Sequence, residues 1–244
     1  MKKLFVCWLM VLNFSAVHAQ NLSFYGFLPA LNQTGRISKK LNYNFFASTT
    51  YDAFDTHINN VYYPAADLQL YIQPSIIYLY SPNLNFSASY TYQRNNPFKG
   101  IFTNEHRLWQ QCIFSVPVSK ARWTNRLRFE ERFIEIKASH KYPLSTRARY
   151  QIGLNFPLQG RTLDKHEFYL NTYNEFYASL SGSKNATYSE NWSYLGIGND
   201  LGKYGRLELG YMLQTFVRNA QHNYRFLNLV QVMWSTNFNF GKKK

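Results

Sequence analysis

Cysteine is scarce: among 244 residues only Cys7 and Cys112 carry a thiol, and Cys7 sits inside an apolar N-terminal stretch. Once that stretch is removed a single thiol is left, which excludes an internal disulfide. Long apolar runs are missing too. Beyond the N-terminus nothing approaches the ~20 consecutive apolar residues that a membrane helix requires. Acidic residues are few, 13 against 27 Lys and Arg, giving a formal net charge of +14. A basic surplus raises nucleic acid as a partner, but no recognition-helix pattern or zinc spacing accompanies it. Membrane lipids, with anionic headgroups as the counter-charge, are the expected partners instead. No GxSxG, HExxH or glycine-rich phosphate loop occurs, so no motif for nucleophilic, metal-dependent or phosphate chemistry presents itself.

The N-terminus reads as a secretory signal peptide. Lys2 and Lys3 precede Leu4 to Val17, a fourteen-residue apolar stretch interrupted by Asn13 and Ser15, and Val17-His18-Ala19 offers small residues at the cleavage positions. Such a stretch rises only ~21 Å as a helix, short of the ~30 Å hydrocarbon core, which argues against an anchor. Residues 1–19 are expected to be removed, leaving 20–244 as one domain. Export also argues against a meeting with nucleic acid, and losing Lys2 and Lys3 lowers the charge from +14 to +12.

Aromatic residues are abundant, 18% of the chain with 20 Tyr and 20 Phe, while the mean hydropathy is −0.39. Membrane strands combine these properties, because lipid-facing apolar residues alternate with polar lumen residues and aromatic girdles mark both interfaces. Period-two alternation runs through nearly everything after Gln20. Eleven runs can be drawn, at roughly 22–33, 41–54, 66–81, 84–95, 105–116, 121–138, 145–156, 166–179, 191–201, 204–218 and 223–240. In the fourth, Leu84, Phe86, Ala88, Tyr90 and Tyr92 alternate with Asn85, Ser87, Ser89, Thr91 and Gln93. Such alternation demands apolar and polar surroundings on opposite faces of a sheet.

A soluble antiparallel sandwich satisfies the same pattern, but its strands more often run five or six residues. These runs often reach ten to sixteen, and their apolar faces carry Tyr90, Tyr92, Trp123, Tyr211 and Trp234. The expected fold is therefore all-β: an antiparallel transmembrane β-barrel of 10 to 12 strands, with short periplasmic turns and longer extracellular loops. Tight turns follow odd-numbered runs, and the longer stretches 55–65, 96–104 and 180–190 follow even-numbered ones. Run 1 then descends, which conflicts with an even strand count. Either it lies partly outside the ladder, leaving ten strands, or one run is two, giving twelve.

Parity also sorts the charges. Arg126, Arg128, Glu130 and Arg132 share the polar face of run 6. Arg147 and Arg149 come from run 7, Glu105 and Arg107 from run 5, Glu167 and Glu175 from run 8, and Arg206 and Glu208 from run 10. An Arg or Lys facing mid-membrane lipid costs ~2–4 kcal/mol, so these residues are expected to converge in the lumen. There Arg–carboxylate pairs would fill and rigidify it. The sharper alternative is that an arginine surplus binds phosphate or carboxylate groups. Glu131 falls on the outward face, so either it lies near an interface or the register slips there. Cys112 also faces outward, near a short turn. His106 points outward beside Glu105, while His57, His140, His166 and His222 fall in loops or at strand ends without ligand spacing. No metal, cofactor or catalytic residue is expected.

The order Glu105-His106-Arg107-Leu108-Trp109-Gln110-Gln111, then Asn125-Arg126-Leu127-Arg128-Phe129-Glu130-Glu131-Arg132-Phe133, resembles the signature of the domain-of-unknown-function family 2490. Arg147-Ala148-Arg149-Tyr150, Glu175 and Leu209-Gly210-Tyr211-Met212 extend the likeness over nearly the whole mature chain. The resemblance implies a bacterial outer-membrane barrel without an assigned activity. One departure is that Phe240 is followed by Gly241 and three lysines, where such barrels often end on an aromatic residue. The expected role is a non-enzymatic structural or binding component of the outer membrane, or a narrow passage. The alternatives are a barrel enzyme acting on lipid or lipopolysaccharide, and a soluble periplasmic β-sandwich.

Overall fold

The computed structural model describes residues 21–160, 164–182, 187–218 and 223–238. The expected signal peptide and the residues from Asn239 onward, Phe240 among them, lie outside the described residues. The described chain is built from thirteen strands and one short 3-10 turn at Gly202–Tyr204. Eleven strands form a closed barrel: β1 (Leu22–Arg36), β2 (Leu41–Asp52), β5 (Ala66–Leu79), β6 (Leu84–Asn95), β7 (Thr103–Val118), β8 (Ala121–Ile134), β9 (Leu144–Pro157), β10 (Phe168–Ser181), β11 (Tyr188–Asp200), β12 (Arg206–Val217) and β13 (Tyr224–Asn237). Each of the eleven alternating runs corresponds to one of them.

The barrel falls within the expected 10 to 12 strands, but neither even count holds. Successive strands alternate in direction, so with eleven of them the first and the last run the same way. Closure therefore requires a parallel pair. β1 lies parallel to β13 from Leu22↔Arg225 to Thr34↔Asn237, and antiparallel to β2. Run 1 belongs to the ladder, and the sheet is mixed at this one seam. Closure leaves the barrel sheet without an unpaired edge strand among the described residues.

Five connections at one rim are 37–40, 80–83, 119–120, 158–167 and 201–205; those at the other are 53–65, 96–102, 135–143, 182–187 and 218–223. The first rim carries the tighter turns, except at 158–167. The longest connection at the second rim holds the small hairpin β3 (Thr56–Ile58) and β4 (Val61–Tyr63). Asn59 and Asn60 turn it with φ of 51° and 62°, the left-handed pair that a two-residue type I′ turn needs and that asparagine tolerates. Asp55 ties its base, accepting the Tyr62 hydroxyl at 2.8 Å and the Ala65 backbone N–H at 2.7 Å. The Tyr63 ring meets Phe24 edge-on at 5.5 Å, so the hairpin packs onto the interior of β1.

Alternation sets the two faces. On β6, Phe86 and Tyr90 face outward while Ser87, Thr91 and Gln93 are buried inside. Most other strands repeat this, and every barrel strand exposes at least one large hydrophobic side chain outward, among them Phe27, Ile76, Leu127, Leu195 and Val230, with β2 contributing Tyr51 alone.

The interior is not uniformly polar. Leu22, Phe24, Leu28 and Ala30 of β1 pack with Met212, Leu227 and Leu229, so one arc of the inner wall is apolar. Tyr194 adjoins this cluster. Its ring lies over Gly196 and Gly210, where an added Cβ would stand 2.2 and 2.4 Å from the tyrosine oxygen. Glycine at those two inward positions makes room for an aromatic ring to lie flat against the wall.

Candidate functional site

The facing arc, β7 to β11, carries the charges. Glu130 sits at its centre with no exposed surface. Register places it opposite Arg147 on β9 and Trp109 on β7. Arg147 donates to one Glu130 oxygen through Nε at 2.8 Å and Nη2 at 2.6 Å, and Arg149 donates Nη1 to the other at 2.7 Å. Arg147 also reaches Glu190 on β11 at 2.6 Å.

Glu175 is the second hub. Arg149 grips it in bidentate fashion, Nε to Oε1 at 2.8 Å and Nη2 to Oε2 at 2.9 Å. Arg126 adds a bond at 2.7 Å. The Tyr177 hydroxyl accepts from Arg149 at 2.8 Å and donates to Glu175 at 3.1 Å. Glu105 is the third hub, held by Nε and Nη2 of Arg132 at 2.6 and 3.0 Å and by Nε of Arg107. Arg107 continues to Gln93.

Such multiplicity has a physical reason. A buried charge costs several kcal/mol of desolvation, which only close geometry and further hydrogen bonds offset, and charge-assisted bidentate bonds are the strong ones. Arg128 is held differently. It lies 3.7 Å from Glu130, gives two bonds to Gln111 at 2.9 and 2.7 Å, and stacks over the Trp109 ring at 3.8 Å. Cation–π contact thus takes the place of a close carboxylate.

Of the twelve charged residues assigned to the lumen by parity, nine join this cluster: Glu105, Arg107, Arg126, Arg128, Glu130, Arg132, Arg147, Arg149 and Glu175. Glu208 is buried inside but apart from them, bonded by the Tyr194 hydroxyl at 2.7 Å and by Asn171 at 3.2 Å. Two placements need correction. Arg206 opens β12 at the rim and pairs with Asp200 at 3.0 Å. Glu167 precedes β10 in a turn and accepts the Asp164 backbone N–H at 3.0 Å. Both lie too near a strand end for parity to carry them into the lumen. Glu190, with Trp109 and Tyr177, was missed, while Gln93 and Gln111 stand on the lumen face where parity puts them. The signal for Glu190 was a ninth run that starts three residues earlier than drawn.

Six arginines therefore meet four glutamates, a surplus of two positive charges within the cluster. Among the described residues, the charged and apolar arcs border a wider and a narrower cavity. The wider, of about 520 Å³, reaches Thr50, Asn95, Ile134 and Phe216 toward the long-loop rim. The narrower, of about 240 Å³, reaches Asn32, Asn44, Ile77 and Gln111 toward the short-turn rim. Phe46, Gln73, Arg126, Arg128 and Met233 line both and stand between them. Among the described residues, no histidine lines either cavity and no group of three His, Cys, Asp or Glu could hold a metal. His106 lies on the outer face, its Nδ1 2.6 Å from the Tyr90 hydroxyl and its ring beside Tyr92 and Tyr142. Glu131, also on the outer face, lies three residues from the end of β8 at the long-loop rim.

Fold and site together define a small closed β-barrel whose interior is spanned by an arginine–glutamate network. The chain belongs to the family described as Protein of unknown function (DUF2490), whose model matches residues 26–225. Searches of curated proteins and of solved structures found no match.

Proposed function

We propose that the protein is a non-enzymatic outer-membrane β-barrel, exported with a cleaved signal peptide, in which the Arg/Glu network closes the lumen at mid-depth and holds the strands in register. It serves there as a structural or binding component. The observation that carries this reading is the outer surface: each of the eleven barrel strands exposes at least one large hydrophobic side chain, and most expose two or more. A soluble monomer rarely exposes a contiguous apolar patch beyond a few hundred Å², whereas a membrane barrel wears such a band all round. Strand length agrees. The barrel strands have 12 to 16 residues, more than the ~9–11 a tilted strand needs to span the hydrocarbon. The last strand ends at the short-turn rim, which we place in the periplasm, with the longer loops outside.

The test is fractionation of cells expressing the full chain. The protein is expected in the outer membrane, extractable only with detergent, and migrating faster on unheated than on heated gels. Recovery as a detergent-free periplasmic monomer would overturn the reading.

A further inference from the structure

We propose that the wider lumen cavity is a binding site for one single-chain amphiphilic anion, a carboxylate or phosphate carried on an apolar chain. The inference deepens the proposed binding role and rests on the barrel's interior rather than on its location.

The cavity is chemically two-sided. Its charged wall carries the arginine surplus of the network, and Arg225 on β13 adds a further cation whose charge the buried Asp52 carboxylate partly offsets. Leu28, Phe46, Leu68, Met212, Leu227 and Met233 line it with apolar surface. A volume near 520 Å³ lies in the range of small-molecule sites, which are mostly apolar with a few placed polar groups.

Arg126, Arg225 and Trp192 line this cavity, and their buried donors Nε, Nε and Nε1 have no acceptor in the protein, against one unpaired acceptor on the same lining, Gln231 Oε1. A buried donor left unpaired is costly. The network's carboxylates are already engaged by Arg107, Arg126, Arg132, Arg147 and Arg149. A ligand that supplies anionic oxygens offsets the surplus charge, and a small turn of these lining side chains brings their donors to it. A free inorganic anion would leave the apolar wall uncovered, and a neutral lipid would leave the donors unpaired. An amphiphile with one charged end meets both requirements.

Trp192 provides the readout. The full-length barrel, folded in a non-ionic detergent, is titrated with a medium-chain fatty acid brominated at its tail, a contact quencher of tryptophan. Saturable quenching is expected, lost in Trp192→Phe and displaced by the unbrominated acid. Neither inorganic phosphate nor the alcohol of the same chain length should displace it. Arg225→Gln leaves the Arg/Glu network intact and is expected to weaken binding about tenfold or more, as loss of one charge-assisted bond implies. Native mass spectrometry of the unmodified protein should show one bound acid, independently of either variant.

Displacement by phosphate alone would make this a simple anion site, and equal displacement by the alcohol an apolar hole; either overturns the proposal. So does the absence of saturable quenching together with the absence of a bound acid. Gel mobility of the same unheated samples reports the folded barrel separately, so loss of binding in a folded barrel counts against the ligand and not against the membrane reading.

Discussion

Glu130 is fully enclosed and accepts three hydrogen bonds from two guanidinium groups. Removing it leaves Arg147 with Glu190 alone and Arg149 with Glu175 alone, and takes a carboxylate from a cluster already in positive surplus. Losing one partner of a buried pair costs about 3–5 kcal/mol, so Glu130→Ala should lower the midpoint at which heating abolishes fast gel migration. In the double mutant with Arg147→Ala the losses should fall short of the sum, because both substitutions remove the same pair of bonds. The same cycle with Arg128→Ala should show weaker coupling, since Arg128 stands 3.7 Å from Glu130 and is held by Gln111 and Trp109. Additive losses for Glu130 and Arg147 would contradict the pairing. The inward side of these residues was legible because Arg126, Arg128, Glu130 and Arg132 fall two apart on one strand. Which arginine grips which carboxylate was not, because that depends on cross-strand register, and Arg128 directly faces Arg149 rather than an acid.

The strands were the most legible elements. The run drawn at 105–116 is β7, Thr103–Val118, and the others agree to within a few residues. Illegible was the hairpin β3–β4, because three-residue strands are too short for a period; Asn59-Asn60 was the only cue. The apolar arc was hidden for another reason. In Leu227-Asn228-Leu229-Val230 both faces of β13 carry apolar residues, so alternation loses its contrast. The hairpin also carries a pH dependence. The Ala65 backbone N–H, followed by the Tyr62 hydroxyl, holds the Asp55 carboxyl below its ordinary range. A depressed folded-state value means that its stabilisation is present above the unfolded-state pKa, about 3.9, and is lost as pH falls through the folded value. Acidification should therefore speed hydrogen exchange at the Ala65 amide relative to mid-strand amides. In Asp55→Asn that acid-dependent gain should vanish; an unchanged acid response would place its origin elsewhere.

For the whole molecule, the conflict left by the turn lengths is resolved by a parallel seam. An odd number of alternating strands sends β1 and β13 in the same direction, so β1 begins at the long-loop rim while β13 ends at the short-turn rim. Turn lengths pointed to this but could not reveal it, because seam pairing joins residues about two hundred positions apart. The seam also decides whether the network has a lumen to fill, since an open sheet would leave the arginines facing solvent. Phe27 and Val230 are register partners across it and both face outward. The decisive measurement is cross-linking of Phe27→Cys with Val230→Cys, in a Cys112→Ser background, by a short bifunctional thiol reagent in isolated outer membranes. Efficient linkage in that fraction, absent when Val230→Cys is replaced by Trp234→Cys, is the predicted result. A soluble protein, or one that stays unlinked in the membrane, would contradict the closed, embedded barrel.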